Sequence, residues 1–385
     1  MTNPCAPGFE QLAATLRGGL SCSSGHALLN LRAPWSLANW TLPVVEALMV
    51  GGAAYALVHA LRRRRAGDPT VLALWLASVV YLLVIEPPLY FPDVFDIPGR
   101  ADLVFVHNAF SVEFMWDRMP LYIVALYPAM ITLAYELVRA LGVFQRRGVV
   151  VAACAVGFVH HCFYEVFDQL GPQLRWWAWN PGADSNHPTV AAVPFSSVVL
   201  FAAVAPAVLV AMVRILVTRP TVQGRTIAGG SFAGRTVAAG ALMLVGSAVG
   251  GLPWSVFNSD DQTSTVQTVA MATQLGLLAA VGALALADGW RHARGDGDSP
   301  VEPATWRYVQ RHGWAFLATF AVLWATALPD HLGAVGGVTS DGAPIGSLAY
   351  AAACFAACLA VVVAVASVRP VREPSPAPVA VAVSG

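Results

Sequence analysis

Val159–His187, VHHCFYEVFDQLGPQLRWWAWNPGADSNH, decides how this chain is read. Its first ten residues continue an apolar run that begins near residue 148, so they form the end of a membrane-spanning helix that carries His160, His161, Tyr164, Glu165 and Asp168. At roughly 100° per residue these five fall within an arc of about 140°, and Phe163, Val166 and Phe167 occupy the rest of the circumference. An unpaired polar group in hydrocarbon is costly, so such a face has to turn toward protein or an enclosed wet space. The five side chains are expected to point into a helix bundle.

The rest of the chain agrees with a bundle. Of 385 residues, 57% are apolar, and the mean hydropathy is +0.62, values that belong to a polytopic membrane protein rather than to soluble domains. Apolar runs near the roughly 20 residues that a bilayer helix needs occur at 42–61, 70–88, 120–141, 148–168, 191–213, 234–256, 266–288, 313–329 and 346–368. The fold class is therefore all-α: an integral membrane helix bundle of about nine transmembrane helices.

Arginine tests that count independently. Arg62–Arg65, Arg139, Arg146, Arg147, Arg214, Arg219, Arg225, Arg235, Arg291, Arg294, Arg307, Arg311, Arg369 and Arg372 follow the odd-numbered spans, whereas Arg17, Arg32, Arg100, Arg118 and Arg175 fall on the other side. Short cytoplasmic loops carry the excess of positive charge. This phasing predicts an extracytoplasmic amino-terminal segment at 1–41, a transmembrane domain at 42–368 with an outer-face loop region at 87–119, and a disordered, Pro- and Ala-rich cytoplasmic tail at 369–385. The segment 1–41 lacks the features of a secretory signal. Phe9–Leu16 reads as a short surface helix, and Cys5 and Cys22 could pair there if it is extracytoplasmic.

Formal net charge is zero, so nucleic acid is not an expected partner. The expected partners are the lipid bilayer of a cell membrane and a lipophilic small molecule; the sequence leaves protein partners open. All 22 basic residues are Arg, which points to a GC-rich genome of the actinobacterial kind.

The loop EPPLYFPDVFDIPGRADLVFVHNAFSVEFMWDRMPLY begins at Glu86, where two prolines should stop or bend the helix. The run from Asp102 to Arg118 reads as an interfacial or re-entrant helix, on which His107 and Ser111, and likewise Glu113 and Asp117, stack four residues apart. The functional reading sends His107, Glu113 and Asp117 toward the face at 160–168; the alternative is a water-facing polar edge. Glu136, close to Arg139, reads as a structural ion pair, and Gln267 and Gln274 as interhelical contacts. Asp102, Asp260 and Asp261 belong to the same outer side.

Three uses of the helix at 160–168 stay open. Carboxyl and imidazole groups in a buried cluster suit general acid–base catalysis, with Glu165 and Asp168 central and His160, His161, Tyr164, Glu113 and Asp117 supporting. A divalent metal held by His161, Glu165 and Asp168 is the second use, although the run is not HExxH; no cofactor is otherwise expected. A hydrogen-bond network that ties helices together is the third. Trp176, Trp177 and Trp179 follow at the depth where a membrane interface favours tryptophan. With Glu86 and His107 they are candidates to line a lipophilic pocket, where aromatic faces steady a developing cation.

Glu113 and Asp117 before Pro120-Leu121, Glu165 and Asp168 at the end of the next helix, then Gly171, Trp177, Trp179 and Val193-Pro194 form a pattern. Over residues 113–201 it resembles the membrane carotenoid-biosynthesis family that contains the bisanhydrobacterioruberin hydratases. The resemblance implies a lyase-type, acid–base enzyme of carotenoid or other isoprenoid biosynthesis that adds water to double bonds, with Glu113, Asp117, Glu165 and Asp168 as proton donors or water activators. The extra spans, His160-His161 and Tyr164 are not part of that pattern. Two other classes remain: a metal-dependent membrane hydrolase or oxidase, and a lipid or ion carrier without chemistry. The second would favour inverted repeats, and none is evident.

Overall fold

A computed structural model describes residues 7–95, 103–225, 227, 229–257, 265–295, 301–368 and 370. Among them nine helices are long and apolar enough to cross a bilayer: α2 (Thr41–Arg65), α3 (Thr70–Tyr90), α4 (Leu121–Ala140), α5 (Val143–Asp168), α6 (Ser197–Val222), α7 (Gly229–Gly250), α8 (Thr265–Gly295), α9 (Pro303–Leu332) and α10 (Leu348–Ala366). They match the nine apolar runs read from the sequence. The chain is a mostly helical bundle, as a multi-pass membrane protein requires. A shorter helix, α1 (Pro7–Leu16), precedes them.

The bundle has a centre and a periphery. In α4 and α5, 83% and 67% of the apolar window is buried inside the protein, against 22–33% in α7 to α10. Lipid is as apolar as a leucine side chain, so the outer helices lose nothing by facing it, and contact between helices depends on close packing instead. Gly157 on α5 shows this: a β-carbon there would stand 2.6 Å from the Ala203 carbonyl oxygen of α6, so only glycine allows the approach. α5 is interrupted at Gly148 (φ 72°, ψ 178°), and its regular part then runs to Asp168.

The two ends of the bundle differ. One carries the arginines: Arg63 pairs with Asp68 (2.9 Å) and with Glu302, Arg139 pairs with Asp68 (2.8 Å) and Glu136 (3.3 Å), and Arg146 and Arg147 meet Asp288. The other end is a cap of loops and short strands. There β1 (Asn30–Leu31), β3 (Val112–Phe114) and β4 (Met119–Pro120) form one antiparallel sheet in the order β1-β3-β4. β2 (Phe105–His107) pairs with β5 (Trp177–Trp179), and β6 (Thr189–Val190) with β7 (Val193–Pro194).

The expected interfacial helix over 102–118 is therefore replaced by strands from residue 105 onward. The register Phe105↔Trp179, Val106↔Ala178, His107↔Trp177 explains the preference. It puts Phe105, His107, Trp177 and Trp179 on one face and Val106 and Ala178 on the other, and a helix would scatter them. The second face packs on α1, whose Phe9, Ala13 and Leu16 are buried with Leu103 and Val106. The short helix expected at Phe9–Leu16 is present, but it is an anchor of the cap rather than a free surface helix. Arg118 fastens it, with its guanidinium 4.4 Å from the Phe9 ring and 4.6 Å from Phe91. Glu46 of α2 holds the 108–111 loop by accepting the Phe110 (3.0 Å) and Ser111 (3.1 Å) backbone N–H groups.

The prolines after Glu86 do not end α3, which continues through Pro87 and Pro88 to Tyr90. Their missing N–H groups free the Leu83 and Val84 carbonyls within that last turn. Cys22 is disulfide-bonded, while Cys5, its expected partner, lies outside the described residues; Cys154, Cys162, Cys354 and Cys358 are free. Asp102, Asp260, Asp261 and the 371–385 part of the tail also lie outside the described residues.

Candidate functional site

All five polar residues at the end of α5 turn inward, as the bilayer argument requires: His160, His161, Glu165 and Asp168 are buried and Tyr164 is half-buried. They do not share one environment. Phe167, His160, Tyr164 and Asp168 lie at roughly −20°, 0°, 40° and 80° on the helical wheel and line a small cavity and its inner continuation. His161 and Glu165, at roughly 100° and 140°, face α6 and α10 instead.

The cavity encloses about 30 Å³ between α3, α4, α5 and the inner face of the β2–β5 ribbon, room for a water or two. Two carboxyl groups stand in its wall, Glu86 and Asp168. Glu86 accepts a hydrogen bond from the Tyr127 hydroxyl at 2.5 Å, and its second oxygen is buried with the Tyr90 hydroxyl as its nearest donor group. Tyr90, another neighbour of Glu86, bonds through its hydroxyl to His107 Nδ1 at 3.1 Å. Asp168 accepts from the Ser197 hydroxyl at 2.9 Å. Neither carboxyl group pairs with an Arg among the described residues.

The ribbon supplies the lid. Phe105, His107, Trp177 and Trp179 all line the cavity, and the indole nitrogens of Trp177 and Trp179 are buried without acceptors. Burial pushes the His107 imidazole down to about 3, so this ring is neutral and serves as an uncharged hydrogen-bonding group. Gly171 sets the lid height, because a β-carbon there would lie 1.9 Å from the Trp177 ring. Trp176 is placed differently. It is fully buried, stacks on Phe167 at 5.7 Å and donates to the Thr41 hydroxyl at 3.0 Å, which makes it a packing anchor beside the cavity.

An inner continuation of about 10 Å³ runs past Tyr81, Tyr127 and Tyr164 to His160 and Phe201. His160 Nδ1 lies 2.7 Å from the Ala202 carbonyl, and His161 Nδ1 lies 3.1 Å from the Val198 carbonyl. Both carbonyls belong to the π-helical segment Ser197–Val204 that opens α6, a conformation common at functional sites. A carbonyl can only accept, so each neutral ring carries its proton on Nδ1 and leaves Nε2 as an acceptor. His161 Nε2 meets the Tyr350 hydroxyl at 2.8 Å.

Glu165 belongs to a tie between helices. It accepts from Gln169 at 2.9 Å, and Gln169 accepts from the Ser347 backbone N–H at 2.8 Å at the start of α10. Glu113 and Asp117 form a further group in the cap, separate from the cavity. Arg32 stands 3.4 Å from Glu113 and 3.5 Å from Asp117, and Asn30 also bonds Asp117. Burial, then the Asp117 charge, pushes Glu113 up to about 8 against the opposing pull of Arg32.

Three predicted metal ligands, His161, Glu165 and Asp168, are thus each engaged with different protein partners. Among the described residues no group of three or more His, Cys, Asp or Glu side chains is arranged to hold a metal ion. Asp168, Tyr164, His160, Glu86, His107, Trp177 and Trp179 are brought together; Glu165, His161, Glu113, Asp117 and Trp176 are not. Tyr127 was missed. Its position 41 residues from Glu86 inside an apolar run gave no local pattern to find it by. No protein family, no curated protein and no solved structure matches this chain.

Proposed function

We propose that this protein is a membrane-embedded enzyme that uses general acid–base chemistry on a lipophilic substrate, with Glu86 and Asp168 as the working pair. One observation carries the reading: two carboxyl groups without a cationic partner among the described residues share the wall of a water-sized cavity whose other walls are mostly aromatic. A protein that needed the two groups only for stability gains little from this arrangement, because buried carboxylates unmatched by cations are costly.

The chemistry is addition of water to a carbon–carbon double bond, or its reverse. One carboxylic acid gives its proton to an alkene carbon, the π bond breaks, and the electron deficit falls on the neighbouring carbon. Water held in the cavity adds its oxygen to that cation, and the second carboxylate takes the proton released. Exchange through the cavity water restores the starting protonation. The faces of Trp177, Trp179, Phe105 and Tyr164 steady the cation. The isoprenoid class of substrate rests on the sequence resemblance alone. Arg phasing supports an extracytoplasmic cap and cavity, with the carboxyl terminus in the cytoplasm.

The test is expression in a bacterial host that makes linear isoprenoid polyenes, followed by mass analysis of extracted lipids. Wild type should yield a product differing by one water, and Glu86→Gln with Asp168→Asn should remove it at equal membrane abundance. Lipid profiles identical to those of the empty vector, or product persisting in the double variant, would overturn the reading.

A further inference from the structure

The inner cavity has room for water but not for a lipophile, and the space that does have room lies on the other side of the lid. A chamber of about 560 Å³ opens in the cap between α1, the 172–194 segment and the loop at 342–344. Trp177 and Trp179 border both spaces, so the β2–β5 ribbon is the boundary between them, and a double bond docked in the chamber reaches Glu86 and Asp168 only past these two residues. We propose that this chamber is the docking compartment for an uncharged lipophile bearing a single hydroxyl or carbonyl group, and that the inner cavity is the water and proton compartment. This assignment rests on the acid–base reading above.

Volume and lining fit a small-molecule site, since such pockets span roughly 300–1,000 Å³ and are mostly apolar with a few polar groups. Leu12, Leu16, Pro172 and Pro194 supply apolar wall. Arg175, Asn186 and His187 are engaged in building it. Arg175 donates to the Thr15 carbonyl (2.6 Å) and to Asp341 (2.8 Å), Asn186 donates to the Val104 (2.7 Å) and Asn180 (2.8 Å) carbonyls, and His187 contacts the Pro181 carbonyl (2.9 Å). The one arginine in the wall is paired with Asp341, which Arg17 also approaches at 3.7 Å, and whose carboxyl is held down to about 2 by the Arg175 hydrogen bond and then Thr339. Arg175 therefore has its hydrogen bonds taken by protein acceptors rather than turned to a ligand. Gln11 and Thr189 also stand in the wall, and their side chains offer hydrogen bonds that a hydroxyl or carbonyl group on the ligand can meet.

A decanol carrying a photoreactive diazirine tests this in nanodiscs with the full chain. Cross-links read by peptide mass analysis should fall in 8–16 and 172–194, and excess 1-decanol should reduce them at least tenfold while decane leaves them unchanged. Leu12→Trp and Ala192→Trp, which fill the chamber, should abolish labelling at unchanged melting temperature and gel-filtration profile. Glu86→Gln, whose side chain lines the inner cavity and not the chamber, should label like wild type; wild-type labelling without any product would sink the acid–base reading alone, and loss of labelling in Glu86→Gln would overturn this assignment. Labelling spread evenly over the bundle, insensitivity to 1-decanol, or equal labelling of the filled variants would overturn the proposal.

Discussion

The arginine-rich end and the capped end of the bundle both bury ionisable groups, and they do so in opposite ways. At the first, every acidic group in the buried network has a cation: Asp68 meets Arg63 and Arg139, and Glu136 meets Arg139 and His59, the latter at 2.8 Å. At the second, Arg32 serves both Glu113 and Asp117, and Glu86 and Asp168 have only hydroxyl donors in their contacts. Paired charges lock helices together. Unpaired carboxyl groups beside a water-sized cavity give up stability, which is the usual cost of a site relative to its scaffold.

The sharpest way to break this contrast is to neutralise one acid at each end. Glu86→Gln and Asp168→Asn should each lower product formation by about 10²-fold or more, the typical contribution of a general acid or base, with melting temperature unchanged or raised. Glu136→Gln should do the reverse. It strands His59 and weakens the hold on Arg139, costing ~3 kcal/mol, the low end for a broken buried pair because Arg139 keeps Asp68, and turnover per folded molecule should persist. Equal losses of stability in all three variants would mean that the two ends do not differ as described.

Much of this architecture could be read from the chain because bilayer physics is one-dimensional. A helix must satisfy its own backbone and show apolar residues to lipid, so nine runs became nine helices, and the inward face of α5 followed from five side chains. Which of those side chains meet each other was not legible. A helical wheel assigns His160, Tyr164 and Asp168 to one arc, but it does not say that α6 and α10 cover the arc holding His161 and Glu165. The ribbon was invisible for another reason. FVH and WAW are three residues each, too short for a period-two pattern, and they lie about 70 residues apart, so their pairing depends on tertiary contacts that propensity does not encode. Glu46 was overlooked because a single acid at a helix end looks like a boundary residue until the loop it grips is known.

The two ends also predict opposite responses to pH. Glu113 is held above its ordinary range, at about 8, so the folded state carries a proton that the unfolded chain releases above about pH 4.5. Stability therefore falls as pH rises from about 4.5 to 8 and levels off beyond. In Glu113→Gln that slope should be absent, so the variant's advantage over wild type in unfolding experiments grows with pH and then saturates. An advantage that stays constant or turns negative would mean that Arg32 holds Glu113 ionised.

Asp68 runs the other way and with the smaller amplitude. Burial alone would raise its pKa, but the Arg139 charge, then the hydrogen bonds from Arg63 and Thr70, outweigh burial and bring it to about 2. Its folded value lies below its unfolded value, so its contribution is fully present above about pH 4 and is lost as pH falls toward 2. The shift corresponds to about 2 kcal/mol, and its side chain is 25% exposed, low enough that solvent screening leaves most of it. Asp68→Asn should melt earlier than wild type at pH 6, with the gap closing as pH is lowered to 3 and below. A gap that survives to pH 2.5 would show that the Asn side chain disturbs the loop by shape rather than by charge, and the arginine-rich end would then owe its rigidity to packing instead of to its paired charges.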